Sequence, residues 1–394
     1  MWINRDFIDS WRRDSKKSAG LVKVLKGPRQ VGKTSLLESL GTHQLILFDD
    51  HILRTRANEN PDVFLSQFQE SVILDEATLV PSLFLEIKKR VDQIKRNQFT
   101  GKKSKLDYWI TGSNQTLLSR EVSESLAGRA DLYNLNTLSA HELNLNQLST
   151  LLIRGGWPEL YSNPELDSTR YLNNLISTFI EKDILQAAGI EKKSAFTKMI
   201  QLLSGQVGQL INFSAIASAC SVESTTIQSW ALILEQNNLI KILQPFMNTF
   251  NKRLIKSPKV YFEDVALAAR FQGWTSFQPL FVSPYFGQMV ENLVYSEISR
   301  FFTNRIIEPK VYFIRNKEKV EIDFLLELPN KKFVAIEAKA SPQDFSNEQL
   351  KLIESLGVNV IEHWIVTPQH SQSYGNRKII EIRELYSSLG SLLN

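Results

Sequence analysis

Residues Gly27-Pro28-Arg29-Gln30-Val31-Gly32-Lys33-Thr34 combine two glycines, a lysine and a hydroxyl at the spacing of a phosphate-binding loop. Glycine lets the chain turn sharply, and the helix-forming run that begins at Ser35 sets the loop's amides at a helix N-terminus, where anions are favoured. In such a loop the backbone N–H groups cradle the α and β phosphates, Lys33 reaches the β and γ phosphates, and the Thr34 hydroxyl coordinates Mg2+. Gly27 through Ser35 are therefore the candidate contacts for ATP, with the Arg29 side chain expected in solvent. Hydrolysis also needs a carboxylate for the metal and a base for the attacking water. Ser71-Val-Ile-Leu-Asp75-Glu76 offers both, Asp75 as the Mg2+ carboxylate and Glu76 as the general base, against the plainer reading of a helix-capping pair. Thr111-Gly-Ser-Asn114 ends another apolar run, and Asn114 is the candidate for orienting the lytic water. Arg129 is either a finger for a neighbouring subunit's γ-phosphate or an ordinary surface or helix-capping arginine. Lys102, Lys103 and Lys105 read as a solvated loop.

These groups have to be carried on strand ends. Short apolar runs at Leu21 to Leu25, Leu45 to Phe48, Val72 to Leu74, Asp107 to Ile110 and Asp131 to Leu135 alternate with helical segments. That alternation predicts a parallel sheet with helices on both faces.

The formal charge of +4 is unevenly spread: residues 190–275 carry nine basic and five acidic side chains, while the flanking segments nearly balance. Within that segment Ile216, Ala217 and Cys220 form one apolar helical stripe, and Ile227, Trp230 and Leu234 another, the second helix beginning at Glu223 or Ser224. A strand at Leu239 to Leu243, a basic loop from Asn248 to Lys259 and a return strand at Val260 to Phe262 complete a winged helix-turn-helix pattern. In a DNA-binding version Ser224, Thr225, Gln228 and Ser229 face bases or phosphates, and Lys252, Arg253, Lys256 and Lys259 neutralise the backbone. The alternative is that the module packs on the ATPase core or another protein, since its second helix has no lysine or arginine.

From Gly287 an amphipathic helix carries Glu291 and Glu297, followed by strands at Val311 to Arg315, Val320 to Leu326 and Phe333 to Ala338, with a turn at Pro329 to Lys332. Alternation places Glu321 and Asp323 on one strand face, and Glu337 and Lys339 on one face of the next. A helix from Asn347 to Leu356 and a strand from Ile361 to Val366 follow. Asp323, Glu337 and Lys339 resemble the signature of PD-(D/E)XK nucleases. That resemblance implies Mg2+ between Asp323 and Glu337, a lysine acting on water, and a helix-borne carboxylate, for which Glu297 is the first choice and Glu291 the second. Solvated strand residues are the plainer reading of the same pattern.

Gly27 to Thr34, Leu74-Asp-Glu, Thr111-Gly-Ser, Leu126-Ala-Gly-Arg and Gly155-Gly-Trp-Pro-Glu, in that order, resemble the prokaryotic AAA-type ATPases whose C-terminal half is a domain of unknown function. Thr178 to Ile184 resembles a helix of the same family, and the likeness runs over nearly the whole chain. It implies an AAA-type sheet and a finger or nucleotide-sensor role for Arg129. Ala77-Thr78 and Asn114 depart from the family pattern without removing a required group.

The expected architecture is α/β: an AAA-type P-loop NTPase domain over residues 1–150, a helical linker or lid over 151–200, a winged helix over 201–275 and a PD-(D/E)XK nuclease-like domain over 276–394. No apolar run is long enough for a membrane span or a secretory signal, one cysteine excludes an internal disulfide, and the five histidines form no zinc pattern. A cytoplasmic, homo-oligomeric protein is expected, with DNA or protein partners. The function expected is ATP hydrolysis controlling a Mg2+-dependent nuclease-like domain that engages DNA. The alternative is a non-nucleolytic ATP-gated regulator working through protein partners. A small-molecule kinase would leave the later domains without a role.

Overall fold

The computed structural model describes residues 2–14, 22–41, 43–99, 106–144, 148–186, 188–247, 256–368, 371–375 and 377–393. The chain divides into two compact units, one of Arg5–Asn136 with Thr178–Ile190, the other of Met1–Asn4, Thr137–Ser177 and Glu191–Asn394. Among the described residues no helix is long and apolar enough to cross a membrane.

The first unit is built on five strands, β1 (Val22–Lys26), β2 (Gln44–Leu47), β3 (Val72–Asp75), β4 (Tyr108–Thr111) and β5 (Ala130–Asn134), in the order β2-β3-β4-β1-β5. All neighbours are parallel. Strands β3 and β4 are buried along their whole length, as a parallel sheet covered by other elements requires. The topology decides where the chemistry can lie. β4 is inserted between β1, which feeds the phosphate-type loop, and β3, which ends at Asp75. The residues after β4 therefore stand between the loop and the acidic pair.

In the second unit, helices Lys193–Ser204, Phe213–Cys220 and Ser224–Gln236 precede an antiparallel pair, β6 (Ile240–Leu243) and β7 (Lys259–Phe262). The Asn212 side chain caps the Phe213–Cys220 helix, and Glu223 is the N-cap position of the next. Cys220 is buried. The helix Phe286–Thr303 is buried around nearly its whole circumference and leads into a six-stranded sheet. That sheet consists of β8 (Val311–Arg315), β9 (Glu321–Leu328), β10 (Lys332–Ala338), β11 (Asn359–Thr367), β12 (Gln372–Tyr374) and β13 (Arg377–Glu381), in the order β12-β13-β11-β10-β9-β8. β8, β9 and β10 are antiparallel, whereas β10, β11 and β13 run parallel. The helix Asn347–Glu354, opened by a Ser346–Gln349 capping box, makes the crossover from β10 to β11. The segment after β6 joins this sheet through a bridge between Pro245 and Phe313, with the Phe246 N–H donating to the Phe313 carbonyl at 2.7 Å.

Candidate functional sites

Gly27 has φ 146°, and a Cβ there would lie 2.1 Å from the Leu135 carbonyl oxygen, so only glycine fits. Gly32, at φ 86°, is the N-cap of the helix Lys33–Glu38. The loop is held from three sides. Arg5 donates to the Val31 carbonyl at 3.0 Å and to the Asn136 carbonyl at 2.6 Å. Gln115, fully buried, donates through Nε2 to the carbonyls of Gly27 at 2.9 Å and Gly112 at 2.7 Å, and its Oε1 accepts from the Gly27 N–H at 3.2 Å. Lys33 is buried, its ammonium donating to the carbonyls of Gly27 at 2.9 Å and Pro28 at 2.8 Å. Pro28 and Arg29 are half-buried and Gln30 and Ser35 exposed. Arg29 is not simply solvated, since its Nη2 lies 3.5 Å from Ser113 Oγ.

Asp75 gathers two hydroxyls. Thr34 Oγ1 donates to its two oxygens at 2.9 and 3.0 Å, and Thr111 Oγ1 donates to Oδ1 at 2.5 Å. Glu76 follows in a left-handed conformation, φ 55°, which is costly for a side chain with a Cβ and concentrates at functional positions. Its Oε2 accepts from the Ser113 N–H at 2.8 Å and from Ser113 Oγ at 3.0 Å. Burial raises the Glu76 carboxyl above the ordinary carboxylate range, a shift only partly offset by the Ser113 hydrogen bonds and the nearby Lys33 charge. The donor set suits a nucleotide and Mg2+. Asp75 and Thr34 are oxygen ligands, and the hydroxyls on Asp75 can yield to a hydrated cation without stranding a charge.

Two expectations change here. Asn114 caps the helix Gln115–Ser125, its Oδ1 accepting from the Leu117 N–H at 2.9 Å, so the polar contacts of this loop to the acidic pair come from Thr111 and Ser113 instead. Arg129 is clasped by Asp92 of the same chain, Nε to Oδ1 at 2.7 Å and Nη2 to Oδ2 at 3.0 Å. That is the geometry of the plainer reading, a paired and partly exposed arginine. Lys102, Lys103 and Lys105 lie outside the described residues.

In the second unit Asp323 and Glu337 are brought together by reciprocal bonds: the Asp323 N–H donates to Glu337 Oε1 at 3.0 Å, and the Ala338 N–H to Asp323 Oδ2 at 2.9 Å. Lys339 Nζ lies 2.6 Å from Glu337 Oε2. The helix carboxylate that joins them is Glu291, not Glu297. Oxygen atoms of Glu291, Glu321 and Asp323 lie within 4.8 Å of one another. Glu297 instead accepts from Arg300 at 2.7 Å and from the Ala140 N–H at 3.0 Å. It belongs to a different buried network, in which Asp264 accepts from Arg300 at 2.9 Å, Thr137 at 2.7 Å and the Gly156 N–H at 2.9 Å. This gives the Gly155-Gly156 pair its reason, because a Cβ on Gly155 would stand 2.5 Å from Asp264 Oδ1.

Lys259 also departs from expectation. Read as a wing lysine for a DNA backbone, its side chain is 0% exposed, with Nζ 3.1 Å from Glu291 Oε1 and in short contact with Glu321 Oε1. Arg315 reaches the other Glu321 oxygen at 2.5 Å, and the Tyr261 hydroxyl donates to Glu291 Oε1 at 2.5 Å. Burial, with Asp323 adjacent, pushes Glu337 up to about 8. Burial pushes Glu291 up to about 7 against the opposing pull of Lys259. Burial alone would lower Lys259, but the charges of Glu291, Asp323 and Glu321 outweigh it and raise the ammonium above the usual lysine range. Unlike Asp75, three of these four carboxylates are already met by cationic side chains, so the set as folded does not fit a divalent ion. Thr225, Gln228 and Lys256 are exposed, and Lys252 and Arg253 lie outside the described residues.

The sheet order, the loop and the acidic pair define the first unit as a P-loop ATPase domain, and residues 20–144 match the family model described as AAA domain. Residues 145–278 and 286–385 match two models described as domains of unknown function, DUF8612 and DUF4143. The chain is 27% identical over 317 residues to an uncharacterized protein of Mycobacterium tuberculosis, covering 79% of this chain and 69% of that one. It is 23% identical over 376 residues to an uncharacterized protein of Methanocaldococcus jannaschii, covering 85% and 77% respectively. Among solved structures, the ORC2 protein of Aeropyrum pernix, in ADPNP–ADP complexes, aligns over 60% of this chain and 85% of its own with 12% identity and a TM-score of 0.25. The AAA match and the C-terminal domain of unknown function agree with the resemblance drawn from the motifs. Neither unknown-function model carries a winged-helix or nuclease description.

Proposed function

We propose that the chain binds ATP with Mg2+ and hydrolyses it in the first unit, and that turnover sets the state of a regulatory second unit. The observation that carries this reading is the convergence of Thr34, Asp75, Thr111 and a Ser113-held Glu76 at the C-terminal ends of adjacent strands. On nucleotide binding Lys33 would exchange its two loop carbonyls for phosphate oxygens, and Thr34 and Asp75 would hold Mg2+. The bound Mg2+ supplies charge neutralisation on the transferring phosphoryl group. Ser113 occupies Glu76 Oε2, which leaves Oε1 as the atom that takes the proton from the attacking water. The raised carboxyl matches that role, since a base poised closer to neutrality accepts a proton more readily. The test is phosphate release by the purified chain. Lys33→Ala and Glu76→Gln should each lower turnover about 100-fold or more, and unchanged turnover in both would refute the reading.

For the output, the cation-paired carboxylates of the second unit favour a non-nucleolytic regulator acting through protein partners over a Mg2+-dependent nuclease. DNA engagement is the second reading, supported by the exposure of Thr225, Gln228 and Lys256 in a helix–helix–hairpin order. DNA binding that weakens steeply with salt would favour it, because each phosphate contact releases counterions. Absence of binding at low salt would leave protein partners.

A further inference from the structure

We infer that Lys259 is the resident cation of the carboxylate centre, standing where a divalent ion would otherwise sit and fastening the β6–β7 pair to the C-terminal sheet. The geometry is that of a ligand site already filled. Two oxygens on opposite sides of a Mg2+ ion are about 4.2 Å apart, given Mg–O distances near 2.1 Å. The Glu291, Glu321 and Asp323 oxygens all fall within 4.8 Å of one another, close to that span. The Lys259 ammonium touches two of the three, from a side chain with no exposure. An ammonium buried this deeply persists only when paired, and carboxylates buried around it require the same.

Charge decides between an ammonium and a metal. Even with every group ionised, the limit of negative charge, Glu291, Glu321, Asp323 and Glu337 face Lys259, Lys339 and Arg315, leaving the centre at most one charge negative. A divalent ion added to that set overshoots neutrality. It would also have to displace the ammonium of Lys259, whose side chain has no exposure, from Glu291 and Glu321. Without Lys259 the same groups carry up to two negative charges, which one divalent ion cancels. The lysine is also mechanically placed to fasten. It opens β7, pairs with Leu243 across β6, and bridges Leu210, while its side chain ends on the helix Phe286–Thr303 and on β9.

The inference does not depend on the ATP reading and is tested apart from it. Mn2+ binding to the full chain without nucleotide is followed by water-proton relaxation for the wild type, Asp323→Asn, Lys259→Met and the double variant. The wild type should show no Mn2+ site that Asp323→Asn removes. Lys259→Met should gain a site at least about tenfold tighter than any in the wild type, equivalent to about 1.4 kcal/mol, and the double variant should lose it. A wild-type Mn2+ site abolished by Asp323→Asn overturns the inference, as does a folded Lys259→Met that gains none. If Lys259→Met fails to fold, the comparison of wild type with Asp323→Asn still decides. Lys33→Ala, which removes turnover on the reading above, should leave every one of these Mn2+ results unchanged.

Discussion

Asn114 and Gln115 are adjacent, and exchanging their expected roles makes a sharp test. Gln115→Leu keeps nearly the same volume but removes the hydrogen bonds to the Gly27 N–H, the Gly27 carbonyl and the Gly112 carbonyl, with a longer one to the Ser113 carbonyl. Before nucleotide binds, the Gly27 carbonyl retains Lys33 as a donor, so its loss in that state is partial. The Gly27 N–H and the Gly112 carbonyl lose these partners in a buried setting, at about 1–3 kcal/mol each. The total, about 2–6 kcal/mol, is divided between global stability and the position of the phosphate loop. If one third of it falls on loop position, about 1 kcal/mol, KM for ATP rises about five- to tenfold. Asn114→Ala instead loses one helix cap, about 1 kcal/mol of stability, and should leave kcat within about a factor of three, well below the 100-fold scale of a lost proton-transfer group. Steady-state phosphate release and urea denaturation on the same preparations separate the two effects. A 100-fold loss of kcat in Asn114→Ala with unchanged stability would return that side chain to the lytic water. A wild-type KM in Gln115→Leu would refute the clamp.

Because burial raises Glu76, the acid limb of the kcat–pH profile should lie above the ordinary carboxylate range of about 4.3. A limb at or below that range, measured at saturating ATP, would remove Glu76 as the base. Arg129 is held by Asp92 of its own chain, so Arg129→Ala should change turnover less than tenfold, and activity per subunit should not fall on dilution. A loss of about 1000-fold, the scale of an arginine finger, together with concentration dependence, would restore the trans role. For Glu337 and Glu291, raised carboxyls mean that the folded state binds protons the unfolded state has released. Their contribution is complete below the unfolded value and is lost as pH rises through about 7 for Glu291 and about 8 for Glu337. The urea midpoint of the wild type should therefore drop more between pH 6 and pH 9 than that of Glu337→Gln, and equal slopes would contradict the placement.

What the sequence discloses of this molecule is what lies close along the chain. The phosphate-type loop is legible because Gly27, Gly32, Lys33 and Thr34 act within one turn of backbone, and Asp75-Glu76 because an apolar run leads straight into two acids. The five strands of the first unit are legible for the same reason, each coinciding with a short, mainly apolar run, whereas β12 (Gln372–Tyr374) carries no such run. Gln115 is not legible, since its partner Gly27 is 88 residues away and adjacent only because β4 inserts beside β1. Choosing between Glu291 and Glu297 fails for a geometric reason. Six residues along a helix turn the side chain by about 600°, leaving the two carboxylates about 120° apart. The amphipathic pattern does not say which acid faces the sheet, because this helix is buried nearly all round. Glu291 meets Lys259 and Tyr261, while Glu297 meets Arg300 and the Ala140 amide. Lys259 is the hardest of these. A lysine at the end of a basic loop has every local mark of a solvated charge, and only the three-dimensional convergence of acids from the helix and from β9 turns it inward. The same convergence makes a nuclease-like string of Asp323, Glu337 and Lys339 insufficient to define a metal site. Whether carboxylates at such spacing hold a metal depends on the charge of what else is buried with them, and here that charge comes from a strand beginning more than 60 residues earlier.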